Sequence, residues 1–64
     1  MTLSPRELVI LMWASNGKTV EETALILEVS YSSVMHAVKR IQHKLDATNK
    51  VHAVAKAIRA GYIS

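Results

Sequence analysis

The sequence contains no cysteine or phenylalanine, and only one proline and two glycines. Without cysteine, disulfides, thiolate metal sites and a cysteine nucleophile are excluded, and this usage fits a reducing, cytoplasmic compartment. A glycine-rich phosphate loop is also excluded, because Gly17 and Gly61 lie far apart in the chain. The longest apolar run, LVILMWA at 8–14, has seven residues, whereas a membrane-spanning helix needs roughly 20. We therefore expect no membrane partner.

The chain is long enough for one domain, 1–64, and half of its residues are hydrophobic. A core built from so few residues is marginal, so most apolar positions must be used. Residues 1–28 hold two basic and four acidic side chains, whereas residues 29–64 hold six basic side chains against Asp46 alone. This division favours a polyanionic partner for the second half, although an ordinary solvated surface would also explain it.

Helix start and stop signals divide the chain into four segments. SPRE at 4–7 predicts a capping box for helix one, which should end near Ser15 before the stop signal at 16–17. TVEE at 19–22 predicts a second capping box for helix two, which should end near Glu28. The residues that helix two should turn inward are Ala24, Leu27 and, as a further candidate, Ile26.

Helix three, at about 31–45, is the most amphipathic segment. At about 100° per residue, its apolar side chains fall within one sector of roughly 100°. These side chains are Val34, Ala37, Val38, Ile41 and Leu45. Helix four should run from about 49 to 60, with Gly61 ending it and residues 62–63 folding back onto the core. No stretch alternates like a strand, so the predicted fold class is all-α, with four short helices in a tetrahelical helix-turn-helix arrangement.

A short helix, a tight turn and a longer basic helix are the parts of a helix-turn-helix, whose second helix enters the major groove. The polar side of helix three suits that role, since it carries no carboxylate before Asp46. The side chains predicted to face bases are Ser32, Met35, His36, Lys39 and His43. Those predicted to contact phosphates are Lys18, Thr19, Ser33, Arg40, Lys44 and Lys50. A plain amphipathic helix with a solvated face is the alternative.

Several sequence blocks, in order, resemble the LuxR-type DNA-binding domain over nearly the whole chain. They are LSPRE at 3–7, W-A-x-x-GKT at 13–19, EE-x-A-x-IL at 21–27 and KLDATNK at 44–50. The sequence is most similar to the quorum-sensing regulators, and V-x-Y-x-S-V at 29–34 is similar to TraR-like members. The resemblance implies a four-helix domain that binds double-stranded DNA as a homodimer, with RNA polymerase as a candidate further partner.

Three positions depart from the family pattern. Many relatives have a basic residue or Asn where this chain has Met35, and a His where it has Ala37. Thr23 replaces a residue that is commonly apolar. Met35 can touch a thymine methyl group but cannot make a bidentate contact with a base. The family's basic contact position is kept at Lys39.

Helix four has apolar residues on two sides, and periodicity alone does not decide which side faces the core. One side carries Val51, Ala55 and Ile58; the other carries Ala53, Val54 and Ala57. The resemblance implies that the second side faces the core, so that Val51, Ala55 and Ile58 pair two subunits. The same apolar helix would also serve a different function, in which the chain heterodimerises with a full-length LuxR-type regulator and inhibits it.

No reaction, cofactor or metal is expected. Glu21 and Glu22 are neighbours on a helix and therefore point about 100° apart, which suits helix capping better than acid–base catalysis. His36 and His43 are seven residues apart, which separates them by about 10.5 Å along a helix, too far for one metal ion. No small-molecule site is expected within the chain. Tyr31 could pack against the domain or meet a phosphate, and both roles stay open.

Overall fold

The computed structural model describes residues 2–64, and within them it contains four helices and no strand. The helices are α1 (Pro5–Ser15), α2 (Val20–Leu27), α3 (Tyr31–Leu45) and α4 (Lys50–Ala60). They pack into a body whose principal extents are 28 × 20 × 20 Å. The prediction of an all-α fold with four short helices is confirmed, and each boundary lies within one or two residues of its expected place.

Both predicted capping boxes are present. At the start of α1 the Ser4 hydroxyl accepts a hydrogen bond from the Glu7 N–H (3.2 Å), and the Glu7 carboxylate accepts one from the Ser4 N–H (2.7 Å). Thr19 and Glu22 exchange the same pair of bonds at 3.0 and 2.9 Å. These bonds satisfy N–H groups that have no partner within a helix. They therefore fix where α1 and α2 begin.

Two of the helices end in a left-handed residue that is not glycine. Glu28, after α2, has a φ of 57°, and Asp46, after α3, has a φ of 53°. This conformation costs an ordinary residue roughly 1–2 kcal/mol. At Glu28 it allows the Val29 N–H to bond back to the Ala24 carbonyl (3.0 Å). The chain can then reach Ser30, the N-cap of α3, after a very short turn.

The core is formed by side chains from all four helices and from both ends of the described chain. Its buried apolar members are Leu3, Ile10, Leu11, Ala24, Val34, Ala37, Val38, Ile41, Ala53, Ala57 and Ile63. Four of the five apolar residues predicted for α3 are buried and Leu45 packs against them. Ile63 folds back as expected, whereas Tyr62 remains exposed.

The inward face of α2 differs in part from its prediction. Ala24 is buried and Leu27 packs against the core, but Ile26 is 41% exposed, so its assignment to the core is wrong. Thr23 occupies the buried position instead, and its hydroxyl donates to the Thr19 carbonyl at 2.8 Å. The hydroxyl thus has a hydrogen-bond partner at the start of the helix, which satisfies this polar group at a buried position.

Candidate nucleic-acid interface

The outward face of α3 brings together four of the five side chains that were predicted to face bases. Ser32, His36, Lys39 and His43 are exposed. At about 100° per residue they span a sector of roughly 60° that lies opposite the buried stripe. Met35 lies apart from them, about 70° to one side, and is half-buried. The face therefore offers hydroxyl, imidazole and ammonium groups, and α3 contains no carboxylate beside them.

One flank of this face is formed by the N-termini of α2 and α4. The Lys50 ammonium donates to the Lys18 carbonyl at 3.4 Å, which joins the two helix starts. Thr19 is the exposed N-cap of α2. On α3 itself, the Gln42 side-chain amide donates to the Thr48 carbonyl at 3.3 Å, next to the start of α4. This flank therefore offers an anion two helix N-termini and two lysines. The exposed carboxylates of Glu21 and Glu22, in the first turn of α2, offset the charge of these lysines.

The opposite flank is formed by α3 and α1. Ser33 and Arg40 are exposed on the side of α3 that faces α1. With Arg6 of α1 they line a cleft of about 160 Å³, whose floor includes Ile10 and Val34. Sequence reasoning missed Arg6, because only the folded chain brings α1 beside the middle of α3. This second flank therefore carries two arginines.

A buried carboxylate lies behind this second flank. Glu7 is only 1% exposed, and its Oε1 atom lies 2.8 Å from the Lys44 ammonium. Its Oε2 atom lies 3.5 Å from Nε of Arg40, whose side chain is 58% exposed. Burial acts to raise the pKa of Glu7, but the hydrogen bonds from Lys44 and Ser4 outweigh it and lower the pKa from its ordinary value of 4.5. Glu7 is therefore held as a carboxylate between α1 and α3.

Lys44 is less free than the sequence suggested. Besides the bond to Glu7, its ammonium lies 3.4 Å from the Thr2 carbonyl oxygen, and its side chain is only 25% exposed. These bonds give Lys44 a partner other than a phosphate, so the geometry does not favour the phosphate contact that we predicted for it. The remaining predicted phosphate residues lie on the two flanks.

The spacing of residues in α1 indicates that Glu7 is buried, but its position in the capping box already offered an explanation for this residue. Glu7, Ile10 and Leu11 follow a helical i, i+3, i+4 spacing, which places the carboxylate within the apolar stripe of α1. A buried charge needs a partner, so this spacing alone predicts a basic side chain opposite. Which lysine or arginine supplies it depends on how α1 packs against α3.

On α4 the structure separates the two apolar sides. Ala53 and Ala57 are buried, and Val54 packs against the core. On the other side Val51 is 76% and Ile58 is 46% exposed, and Ala55 is half-buried. The side of α4 that was predicted to pair subunits is therefore not covered by the core. The pairing itself stays a prediction.

The histidines are not arranged as metal ligands. Within residues 2–64, no three His, Cys, Asp or Glu side chains lie close enough together to hold an ion. His36 and His43 stand two turns apart on the exposed face of α3, and the Nδ1 atom of His52 accepts from the Thr48 N–H (3.0 Å). Over the same part of the chain, no helix is both long and apolar enough to cross a membrane.

A basic, carboxylate-free helix that is exposed after a tight turn, with helix N-termini beside it, defines a helix-turn-helix domain. The comparisons identify which kind. Residues 1–57 match the model of the family described as bacterial regulatory proteins, luxR family. The chain belongs to this family and is a LuxR-type, DNA-binding helix-turn-helix domain of transcriptional regulators.

Quorum-sensing regulators are among the similar proteins. The quorum-sensing regulator RhlR of Pseudomonas aeruginosa is 48% identical over 61 residues, which cover 95% of this chain and 25% of RhlR. The transcriptional activator PhzR of Pseudomonas fluorescens is 42% identical over 60 residues, which cover 94% of this chain and 25% of PhzR. A crystal structure of the phage VqmA–DPO complex superposes with a TM-score of 0.89 at 33% identity, covering all of this chain and 29% of the other. The chain thus spans about a quarter of the length of these relatives.

Proposed function

We propose that the domain binds double-stranded DNA sequence-specifically, with α3 in the major groove. This proposal rests on the outward face of α3, which is free of carboxylates. Two helix N-termini with two lysines lie on one side of it, and two arginines lie on the other. Ser32, His36 and His43 can donate to or accept from base edges, and Lys39 can donate to guanine O6 and N7. Met35, half-buried at the side of the helix, is left with at most an apolar contact to a thymine methyl.

The two flanks would hold the two DNA backbones. On one, Lys18, Thr19 and Lys50 lie at helix N-termini, where N–H groups and positive charge favour phosphates. On the other, Ser33 and Arg40 project from α3. Such contacts fix the position of a duplex without reading its sequence, so they should contribute equally to every DNA. Lys44 is omitted from this set, because its ammonium is bonded to Glu7.

Two copies would bind two half-sites through a contact between their α4 helices. A contact through the exposed side of α4 would bury little surface area, so the isolated domain should be mainly monomeric in dilute solution. Half-sites about one helical turn apart would place two copies side by side, and DNA would supply the effective concentration that the weak contact lacks. Val51, Ala55 and Ile58 would form this contact.

Lys39 provides the test of base recognition. A preferred duplex is first selected from a random library, and affinities for it and for unselected DNA are then measured by gel shift at two salt concentrations. Lys39→Ala should cost roughly 1–3 kcal/mol on the selected duplex and less on random DNA. Lys50→Ala, the matched control, should weaken binding to both duplexes alike. Equal affinity of the unmodified domain for selected and random duplexes would refute sequence-specific binding.

A second candidate function rests on the exposed side of α4. With Val51 76% exposed, the chain could pair with the same helix of a full-length LuxR-type regulator and inhibit it. Inhibition by pairing needs Ile58 but not Lys39. In a competition assay with a full-length relative, Ile58→Glu would then abolish inhibition and Lys39→Ala would leave it intact. The reverse result would favour direct DNA binding.

A further inference from the structure

We propose that the cleft between α1 and α3 is an additional phosphate-binding site, in which Arg6 and Arg40 together hold one DNA backbone phosphate beside Ser33. The inference rests on the proposed DNA binding and extends it to α1, which carries none of the contacts described above. It also gives a function to Arg6, an exposed residue that contributes nothing to the core.

The cleft lies on the side of α3 opposite the N-termini of α2 and α4. At about 100° per residue, Ser33 and Arg40 lie roughly 80° from the centre of the outward face, on the side toward α1. Gln42, which contacts the loop before α4, lies about 90° away on the opposite side. The major groove is about 12 Å wide, so a helix inside it has one phosphate backbone on each side. The N-termini of α2 and α4 meet one backbone, and the cleft meets the other.

The charged side chains at and behind the cleft are mainly basic. Glu7 contacts Arg40 and Lys44, and these three side chains together with Arg6 carry a net positive charge of two. Arg6 and Arg40 line the same cleft of about 160 Å³, so an anion inside it would be attracted by both guanidinium groups. Glu7 contacts Arg40 through Nε. The terminal nitrogens of that guanidinium therefore remain available for a phosphate oxygen.

The neighbours of these residues identify the anion as a DNA phosphate. Ser33 follows Ser32 in the chain, and Arg40 follows Lys39. A duplex that contacts Ser32 and Lys39 therefore brings a backbone within reach of Ser33 and Arg40. Arginine suits such a site because its fork of donors can bind two oxygens of one phosphate. Binding at the outward face of α3 directs a DNA phosphate to the cleft, but it does not direct a carboxylate of a partner protein there.

The test compares two variants that lose the same charge. Arg6→Gln removes the guanidinium at the cleft, whereas Arg59→Gln removes one from the exposed last turn of α4. Affinity for a random-sequence duplex is measured over a range of salt concentrations, with thermal unfolding to show that both variants fold. Arg6→Gln should lower the slope of log affinity against log salt and weaken binding. The slope should fall by at most about 0.9, and affinity near 0.1 M salt by at most about eightfold, because Arg40 still contacts the same phosphate. Arg59→Gln should leave the slope unchanged, and Arg6→Lys should retain most of it.

The outcomes separate this inference from the proposal on which it rests. If the unmodified domain binds with a steep slope that Arg6→Gln leaves unchanged, the cleft is not a phosphate site and DNA binding stands. Equal effects of Arg6→Gln and Arg59→Gln would show that only net charge matters, which also overturns the cleft. If the unmodified domain binds no duplex at all, the proposed function fails and the inference fails with it.

Discussion

Replacing Glu7 by glutamine tests whether the buried carboxylate holds α1 to α3. The substitution keeps the size of the side chain, and the amide oxygen can still accept from the Ser4 N–H. It removes the negative charge that faces Lys44 at 2.8 Å and Arg40 at 3.5 Å. An ammonium and a guanidinium group are then left beside a neutral amide.

The expected cost follows from how exposed each partner is. Removing one member of a fully buried pair costs about 3–5 kcal/mol. Lys44 keeps 25% of its side chain exposed, and the body is only 20 Å thick in two directions, so water can reach the remaining cations. We therefore expect about 2 kcal/mol, close to one or two hydrogen bonds to a charged group. A domain of this size has a total free energy of unfolding of roughly 3–10 kcal/mol, so this loss is a large share of it. At about 4–8 °C for each kcal/mol, the midpoint of thermal unfolding should fall by about 8–16 °C.

Glu22 provides the matched control, because it occupies the same capping-box position in α2. Its carboxylate accepts from the Thr19 N–H as the Glu7 carboxylate accepts from the Ser4 N–H, but Glu22 is exposed. Among residues 2–64, the salt bridges involve Glu7 and not Glu22. Thermal and urea unfolding, followed by circular dichroism, should show a clearly larger loss for Glu7→Gln than for Glu22→Gln. If the two variants lose the same stability, Glu7 acts only as a cap, and the bridge to α3 contributes nothing measurable.

Three further predictions concern pH, a turn and subunit pairing. The folded-state pKa of Glu7 lies below its ordinary value of 4.5, so the unfolded chain binds more protons in acid. The free energy of unfolding, measured by urea unfolding, should therefore fall as the pH drops below about 4.5. This fall should be less steep in Glu7→Gln. Glu28→Gly should stabilise the domain by roughly 0.5–1 kcal/mol in urea unfolding, since glycine adopts a positive φ without strain; a loss would show that Glu28 is unstrained. Ile58→Glu should abolish cooperative binding to a two-half-site duplex in gel shifts and leave single half-site affinity nearly intact, whereas an unfolded variant would contradict the exposure of this side of α4.

The helices were predictable because local chemistry decides where they begin and end. The four N-cap side chains each accept a bond from the backbone N–H of the third residue of the helix that follows. These N-caps are Ser4, Thr19, Ser30 and Asn49. Such signals lie within a few adjacent residues and can be read without knowing the fold. The strong amphipathic pattern of α3 similarly indicated which side is buried and which is exposed.

The missed features depend instead on contacts between residues distant in the chain. Lys44 is 37 positions from Glu7, and nothing in its own surroundings distinguishes it from a lysine free to bind a phosphate. Arg6 joins Arg40 at one cleft only because α1 packs against α3. Ile26 was misplaced because α2 is only eight residues long, too short for periodicity to define its buried side sharply.

The burial of Leu3 and Ile63 affects how the domain can be shortened or fused. The ends of most domains fray and tolerate trimming, but here a residue near each end is at least 92% covered by the rest of the structure. Removing either side chain would forgo about 1.5–3 kcal/mol of apolar burial. A purification tag or a fused protein should therefore be joined through a flexible spacer outside residues 2–63. Limited proteolysis should correspondingly leave residues 3–63 as one resistant fragment.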